Sequence, residues 1–94
     1  MKIDEIEFEA LLVEETLYSS KKLGKFKQTM TLVAYKENYV IEWYIPDIDI
    51  CFEIGIWTEN IASKKVIEYD GVFELPKQAK DLLIKNGFSG VEEE

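Results

Sequence analysis

The strictest pattern in the chain is an alternation of apolar with other side chains over residues 50–56. Its apolar members are Ile50, Phe52, Ile54 and Ile56. Side chains of a β-strand point alternately to its two faces, so this spacing predicts a strand with one buried face. A lone strand cannot bury such a face, and the chain is therefore expected to build a sheet with one covered side.

Two more strands are expected before this one. Residues 25–35 and Tyr39–Ile45 are both rich in β-branched and aromatic side chains, which favour strands. The polar residues 36–38 between them have the length of a hairpin connection. Pro46 cannot donate a ladder hydrogen bond and should end the strand, with a turn over residues 47–49.

The chain after residue 58 predicts a loop over residues 58–63 and a further strand over residues 64–69. Asp70 and Gly71 form a two-residue turn signal that should reverse the chain into residues 72–74.

A C-terminal helix is expected to follow, with Pro76 as its first residue. Leu75, Ala79, Leu82 and Leu83 recur at helical spacing and form one stripe for docking on the sheet. Gly87 should end the helix in the left-handed conformation, and Phe88 should fold back onto the stripe. Residues 89–94 are expected to be a frayed acidic tail.

The N-terminal segment supports two interpretations. As a strand, Ile6, Phe8 and Ala10 share one face and the glutamates between them face water. As a helix, Ile3, Ile6 and Ala10 begin one stripe that continues towards Gly24 as a terminator. The strand is favoured, because Phe8 falls outside the helical stripe. The fold class expected is therefore α+β: an antiparallel meander of about four to five strands with one helix on one face.

Composition limits the possible functions. The 94 residues suffice for a single domain, and the net charge is −8, with every one of the 11 basic residues a lysine. An acidic chain without arginine is not expected to bind nucleic acid directly or to bind an anionic membrane surface. A single cysteine, no long apolar run and no apolar N-terminal region predict a cytoplasmic protein.

No residue pattern predicts catalysis, a cofactor or a metal site. The chain has no histidine, which is the commonest general base and metal ligand. Asp47 and Asp49 resemble the start of a calcium loop but lack the later ligands, and acidic neighbours make Cys51 an inert thiol. Glu42 and Glu53 would be an acid–base pair only if both faced one cavity; the simpler interpretation places them on the solvent face.

The aromatic side chains are the candidate interface: Tyr35, Tyr39, Trp43, Tyr44 and Trp57. Tyrosine and tryptophan are favoured at protein interfaces, and two strand tryptophans can form a shared platform. The same residues are also explained by core packing alone.

The leading hypothesis is a non-enzymatic protein-interaction module, with a homodimer as one form of it. The alternatives are an acidic inhibitor or nucleic-acid mimic that blocks a basic nucleic-acid-binding protein, as in phage-type or immunity-type proteins, and a ligand-binding or enzymatic domain with carboxylates in a sheet–helix pocket.

Overall fold

A computed structural model describes residues 1–11, 25–60, 62–70 and 75–91. The described strands are β1 (Lys2–Leu11), β2 (Lys25–Ala34), β3 (Tyr39–Ile45), β4 (Ile50–Thr58) and β5 (Val66–Asp70), and the helix α1 spans Lys77–Lys85. The strands form one antiparallel sheet in the order β1-β2-β3-β4-β5. The predicted α+β meander with one C-terminal helix is confirmed, and the N-terminal segment is a strand over Lys2–Leu11. The rest of that segment, including the helix end proposed at Gly24, lies outside the described residues.

The connections follow the sequence signals closely. β2 and β3 are joined by a hairpin in which the Tyr35 amide donates to the Asn38 carbonyl at 2.8 Å. Pro46 ends β3 and begins a single 3-10 turn, Pro46–Ile48, after which Asp49 adopts a left-handed conformation with φ of 49°. The predicted turn at Asp70 and Gly71, and the strand predicted over residues 72–74, lie outside the described residues.

The core lies between one face of the sheet and the helix. All four members of the predicted helical stripe are buried: Leu75, Ala79, Leu82 and Leu83. They pack with the side chains that alternate on one face of β2, β3 and β4, namely Met30, Leu32, Ile41, Ile45, Ile54 and Ile56. Ile50 and Phe52 are only half-buried, so the buried face predicted for β4 is complete over its second half alone.

One polar side chain is buried within this described core. Gln28 is 2% exposed, and its amide group donates to the Ala10 carbonyl at 2.9 Å. The Trp43 indole donates to the Gln28 side-chain oxygen at 2.7 Å. Burial of an amide is tolerated when its donors and acceptor are paired, so this group links β1, β2 and β3 on the core face of the sheet.

The two ends of the helix agree with the sequence-based prediction to different degrees. Pro76 is the N-cap residue, so the helix begins at Lys77, one position after the expected start, and the Pro76 carbonyl accepts from the Lys80 amide at 3.0 Å. Gly87 is left-handed as predicted, with φ of 87°. The Gly87 amide donates to the Ile84 carbonyl and the Phe88 amide to the Leu83 carbonyl, both at 3.0 Å, which is a Schellman end.

The chain after the helix is bound to the sheet. Ser89 forms a parallel bridge with Lys65: the Val66 amide donates to the Ser89 carbonyl at 2.8 Å, and the Ser89 amide donates to the Lys64 carbonyl at 2.9 Å. The Phe88 ring meets Tyr39 edge-on, with centroids 4.8 Å apart. The expected fraying from residue 89 is therefore wrong at Ser89, because backbone pairing holds it; residues 92–94 lie outside the described residues.

The helix is also tied to the first strand. The Asn86 side chain donates to the Asp4 carboxylate at 2.9 Å, and Lys85 lies 3.3 Å from the same carboxylate. The Asn86 hydrogen bond, with further help from the Glu5 amide and Lys85, lowers the pKa of Asp4 below its ordinary value. This contact joins residues at opposite ends of the described chain.

Candidate interaction surface

The side of the sheet that faces away from α1 is the candidate surface, and we call it the open face. Strand register places directly paired residues on the same face, and those that alternate with the core residues point away from the helix. The open face carries Lys2, Glu5, Glu7, Glu9, Leu11, Lys25, Lys27, Thr29, Thr31, Val33, Val40, Glu42, Tyr44, Cys51, Glu53, Gly55, Trp57, Glu68 and Asp70.

Two members of the candidate aromatic interface do not belong to the open face. Tyr39 and Trp43 lie opposite Ile56 and Phe52 on the core side, and they are only 4% and 5% exposed. They are unavailable to a partner that binds this surface. Trp43 and Trp57 lie on opposite faces of the sheet, so the aromatic platform proposed for them is wrong.

The other three aromatic residues are accessible. Tyr44 and Trp57 lie on the open face and are 41% and 37% exposed. Tyr35 follows the last core-facing residue of β2 and is 49% exposed at the β2–β3 hairpin. The aromatic part of the surface is therefore reduced to Tyr35, Tyr44 and Trp57.

Trp57 lies against a glycine of its own strand. Its indole nitrogen is 3.5 Å from the position that a Cβ atom on Gly55 would occupy. Gly55 is in extended backbone opposite Val40, so the indole covers a site with no side chain of its own. A flat aromatic surface results beside Val40 and Val33, which are paired in the next two strands.

Two glutamates oppose each other at the middle of the open face. Glu42 of β3 pairs directly with Glu53 of β4. Directly opposed side chains have Cβ atoms about 5 Å apart, and like charges at such positions destabilise a sheet. Neither glutamate forms an ion pair with another residue that the structure describes.

The remaining charge of the open face is unevenly divided. Acidic side chains occur on four of the five strands: Glu5, Glu7, Glu9, Glu42, Glu53, Glu68 and Asp70. The lysines of this face are Lys2, Lys25 and Lys27, all on β1 and β2. In the register of β1 and β2, only one acidic residue stands directly opposite a lysine: Glu9 lies opposite Lys27. The half of the open face formed by β3, β4 and β5 therefore carries four acidic side chains and, among the residues that the structure describes, no lysine.

Cys51 adjoins the glutamate pair. It lies opposite Tyr44, and its pKa is raised first by desolvation and then by the charges of Glu42 and Glu53. A raised pKa leaves little thiolate at neutral pH, and the thiolate is the reactive form. The geometry agrees with the inert thiol predicted from the neighbouring acids.

The two other sequence-derived sites resolve simply. Glu42 and Glu53 are direct neighbours, but they lie on the face of the sheet that points away from the helix, because their positions alternate with those of the core residues. They are therefore not in a sheet–helix pocket. Asp47 lies in the 3-10 turn and Asp49 directly after it, where the Tyr44 hydroxyl donates to Asp49 at 3.4 Å. Among the residues the structure describes, no cluster of acidic and cysteine side chains is arranged to hold a metal ion.

The glutamate pairing had a readable signal in the sequence. The connection between β3 and β4 is the four residues 46–49, and it sets Ile45 opposite Ile50. Counting back three residues on one strand and forward three on the other gives Glu42 opposite Glu53. The alternation along each strand correctly predicts that both glutamates lie on the solvent face. Alternation alone does not give the register that sets the two charges opposite one another.

No family model matches this chain, and no curated protein or solved structure matches it significantly. In the described part of the chain, no helix has the length and apolar character needed to cross a membrane. The described residues thus form an α+β meander with one covered face and one open, largely acidic face.

Proposed function

We propose that this chain is a non-enzymatic protein-interaction module whose open face binds a basic surface of another protein. The observation that carries the proposal is the Glu42–Glu53 pair at the middle of the sheet. A like-charge pair there costs stability, and natural proteins accept such local conflicts chiefly where function requires them. A lysine or arginine from a partner, placed between the two carboxylates, would turn that cost into a favourable contact.

The surroundings of the pair suit a protein partner. Trp57 and Tyr44 give large, rigid apolar area on the same face, and such residues dominate the energetics of interfaces. The carboxylates beside them confer charge specificity. A partner with basic side chains around an apolar patch would complement both features.

The charge distribution also selects between a foreign partner and a second copy of the chain. Two open faces packed together would bring two sets of acidic side chains into contact, and like-charge juxtaposition costs several kcal/mol. A homodimer through this face is therefore disfavoured, and a basic protein is favoured.

Charge reversal tests the proposal. The chain is used to capture partners from its host at low salt, and the captured protein is then purified and its affinity measured. We expect the variant Glu42→Lys/Glu53→Lys to weaken binding of that protein at least tenfold, and we expect added salt to weaken binding of the unaltered chain.

The matched control is Glu37→Lys/Asp47→Lys. It changes the net charge equally, but its positions lie in the β2–β3 hairpin and in the 3-10 turn, away from the centre of the open face. Equal weakening by both variants would show that only net charge matters and would overturn the proposed surface.

A second candidate is the acidic inhibitor that occupies the nucleic-acid-binding surface of a basic protein. The four acidic side chains on the β3, β4 and β5 part of the open face favour it specifically, namely Glu42, Glu53, Glu68 and Asp70. Competition distinguishes it from the general module: nucleic acid should displace the chain from its purified partner. Simultaneous binding of nucleic acid and this chain to that partner would dismiss the inhibitor.

A further inference from the structure

The first strand offers a second, differently shaped contact. β1 is ten residues long and forms one edge of the sheet, and no described strand lies on its outer side. Half of the backbone amide and carbonyl groups of an edge strand point away from the sheet and can accept another strand.

The side chains of β1 specify what such a strand would look like. Glu5, Glu7 and Glu9 project on the open face at every second residue, and they are exposed. Ile6 and Phe8 project on the core face and are only half-buried at the margin of the core. A strand paired with this edge would contact carboxylates on the open face and the half-buried apolar side chains of Ile6 and Phe8 on the core face.

On its inner side, β1 already pairs with a strand that carries lysines and apolar side chains. β2 pairs with β1 in antiparallel register and sets Lys27 opposite Glu9 and Phe26 opposite Ala10. Its sequence over residues 25–30 places lysine and threonine on the open face and Phe26, Gln28 and Met30 on the core face. Of the three glutamates of β1, Glu9 thus already lies opposite a lysine, whereas Glu5 and Glu7 lie opposite threonines.

We infer that the β1 edge binds an extended peptide segment of a partner protein in which basic and apolar residues alternate, adding a sixth strand to the sheet. Backbone hydrogen bonds hold the segment, and its basic side chains lie against Glu5, Glu7 and Glu9. A second copy of β1 fits poorly, because antiparallel pairing would set glutamates of the two copies side by side. This inference rests on the proposed function and adds the conformation of the partner at the edge of the open face.

The test uses the full chain and three synthetic peptides of equal length. The first alternates lysine and valine over seven residues, the second has the same composition with lysines and valines in separate blocks, and the third is the alternating peptide with every second amide methylated. We expect the alternating peptide alone to bind, with slower hydrogen exchange of amides within β1.

Glu7→Lys/Glu9→Lys should weaken binding of the alternating peptide at least tenfold, whereas the Glu37→Lys/Asp47→Lys control should change it by less than twofold. Equal binding of the block peptide or of the methylated peptide, no binding of the alternating peptide at millimolar concentration, or protection confined to β3 and β4 would each overturn the inference.

The two proposals fail separately. If no peptide binds but Glu42→Lys/Glu53→Lys still loses the purified partner, the open face binds it and the edge inference is rejected. If the alternating peptide protects β1 while Glu42→Lys/Glu53→Lys still binds the partner, the edge is a binding site and the glutamate pair does not bind the partner.

Discussion

Gly87 and Gly90 lie three residues apart, both with positive φ, but their surroundings differ. A Cβ atom on Gly87 would meet nothing within 4 Å, whereas one on Gly90 would clash with the Val66 carbonyl oxygen. Gly90→Ala is therefore expected to lower the free energy of unfolding by roughly 3 kcal/mol, because it adds a clash with backbone to the strain of positive φ. Urea denaturation measures the change.

Gly87→Ala is the matched control for that variant. It carries the same kind of backbone strain without the clash, and we expect a loss of roughly 1 kcal/mol. Equal losses for the two variants would mean that the segment after the helix does not press against β5.

The hydrogen bond between Trp43 and Gln28 gives a second prediction for single side chains. Trp43→Phe removes the donor to the buried Gln28 oxygen at 2.7 Å, and leaving a buried polar atom unpaired costs about 1–3 kcal/mol in addition to the lost packing. The pairwise part is obtained from a double-mutant cycle with Gln28→Leu, where we expect a coupling of roughly 1 kcal/mol. Trp57→Phe, on the open face, should cost much less; additive effects of the two core variants would contradict the coupling.

Cys51 reports the charge of the open face directly. Burial is the main cause of its raised pKa, and the charges of Glu42 and Glu53 add to it, so Glu53→Gln should lower that pKa and increase the thiolate fraction at neutral pH. Alkylation by iodoacetamide should then be faster. Glu37→Gln, in the hairpin, serves as the control; an unchanged rate in Glu53→Gln would place that carboxylate away from the thiol.

At the level of secondary structure, the sequence predicted an element correctly where its hydrophobic periodicity and its turn residues agreed. Tyr39–Ile45 was predicted with the bounds it has, because Pro46 fixes its end and the alternation fixes its faces. That same alternation puts Tyr39 and Trp43 in register with Ile41 and Ile45, so their burial was readable, and aromatic character alone was a misleading guide to exposure. The pairing of Ser89 with residues 64–66 and the closeness of Gly90 to Val66 could not be predicted from the sequence, because both depend on where the helix ends relative to the sheet.

The docking of α1 on β1 should depend on pH. Asp4 has a lowered pKa in the folded protein, so its ionised form contributes stability that is complete above the ordinary aspartate value of about 3.9 and is lost as pH falls through the folded pKa. Asp4→Asn should therefore reduce the free energy of unfolding most near neutral pH, and its difference from the unaltered chain should shrink below about pH 4.

Denaturation in urea across this pH range measures the effect. Asp81→Asn removes an exposed carboxylate that pairs with Lys77 within the helix, at 2.9 Å, and it should have little effect at any pH. A difference for Asp4→Asn that does not change with pH would show that the Asn86 contact does not depend on the charge of Asp4.

For the whole molecule, the single covered core predicts one cooperative unfolding transition. With Trp57 replaced by phenylalanine, the remaining Trp43 reports the core, since it is 5% exposed and hydrogen bonded within it. Its emission and the far-ultraviolet circular dichroism should change at the same urea concentration. Separate midpoints would indicate that the sheet and the helix side unfold independently and would contradict a single domain.

Sequential strand order has a consequence for synthesis on the ribosome. Each strand of the meander pairs with the one made just before it, so the sheet can grow hairpin by hairpin as the chain emerges. The helix that covers its apolar face is made after all five described strands, and that face waits uncovered for a few seconds at ordinary translation rates. A chain stalled before Leu75 would present Ile41, Ile54 and Ile56 to water, and it is in that nascent form that this protein has the greatest need of a chaperone.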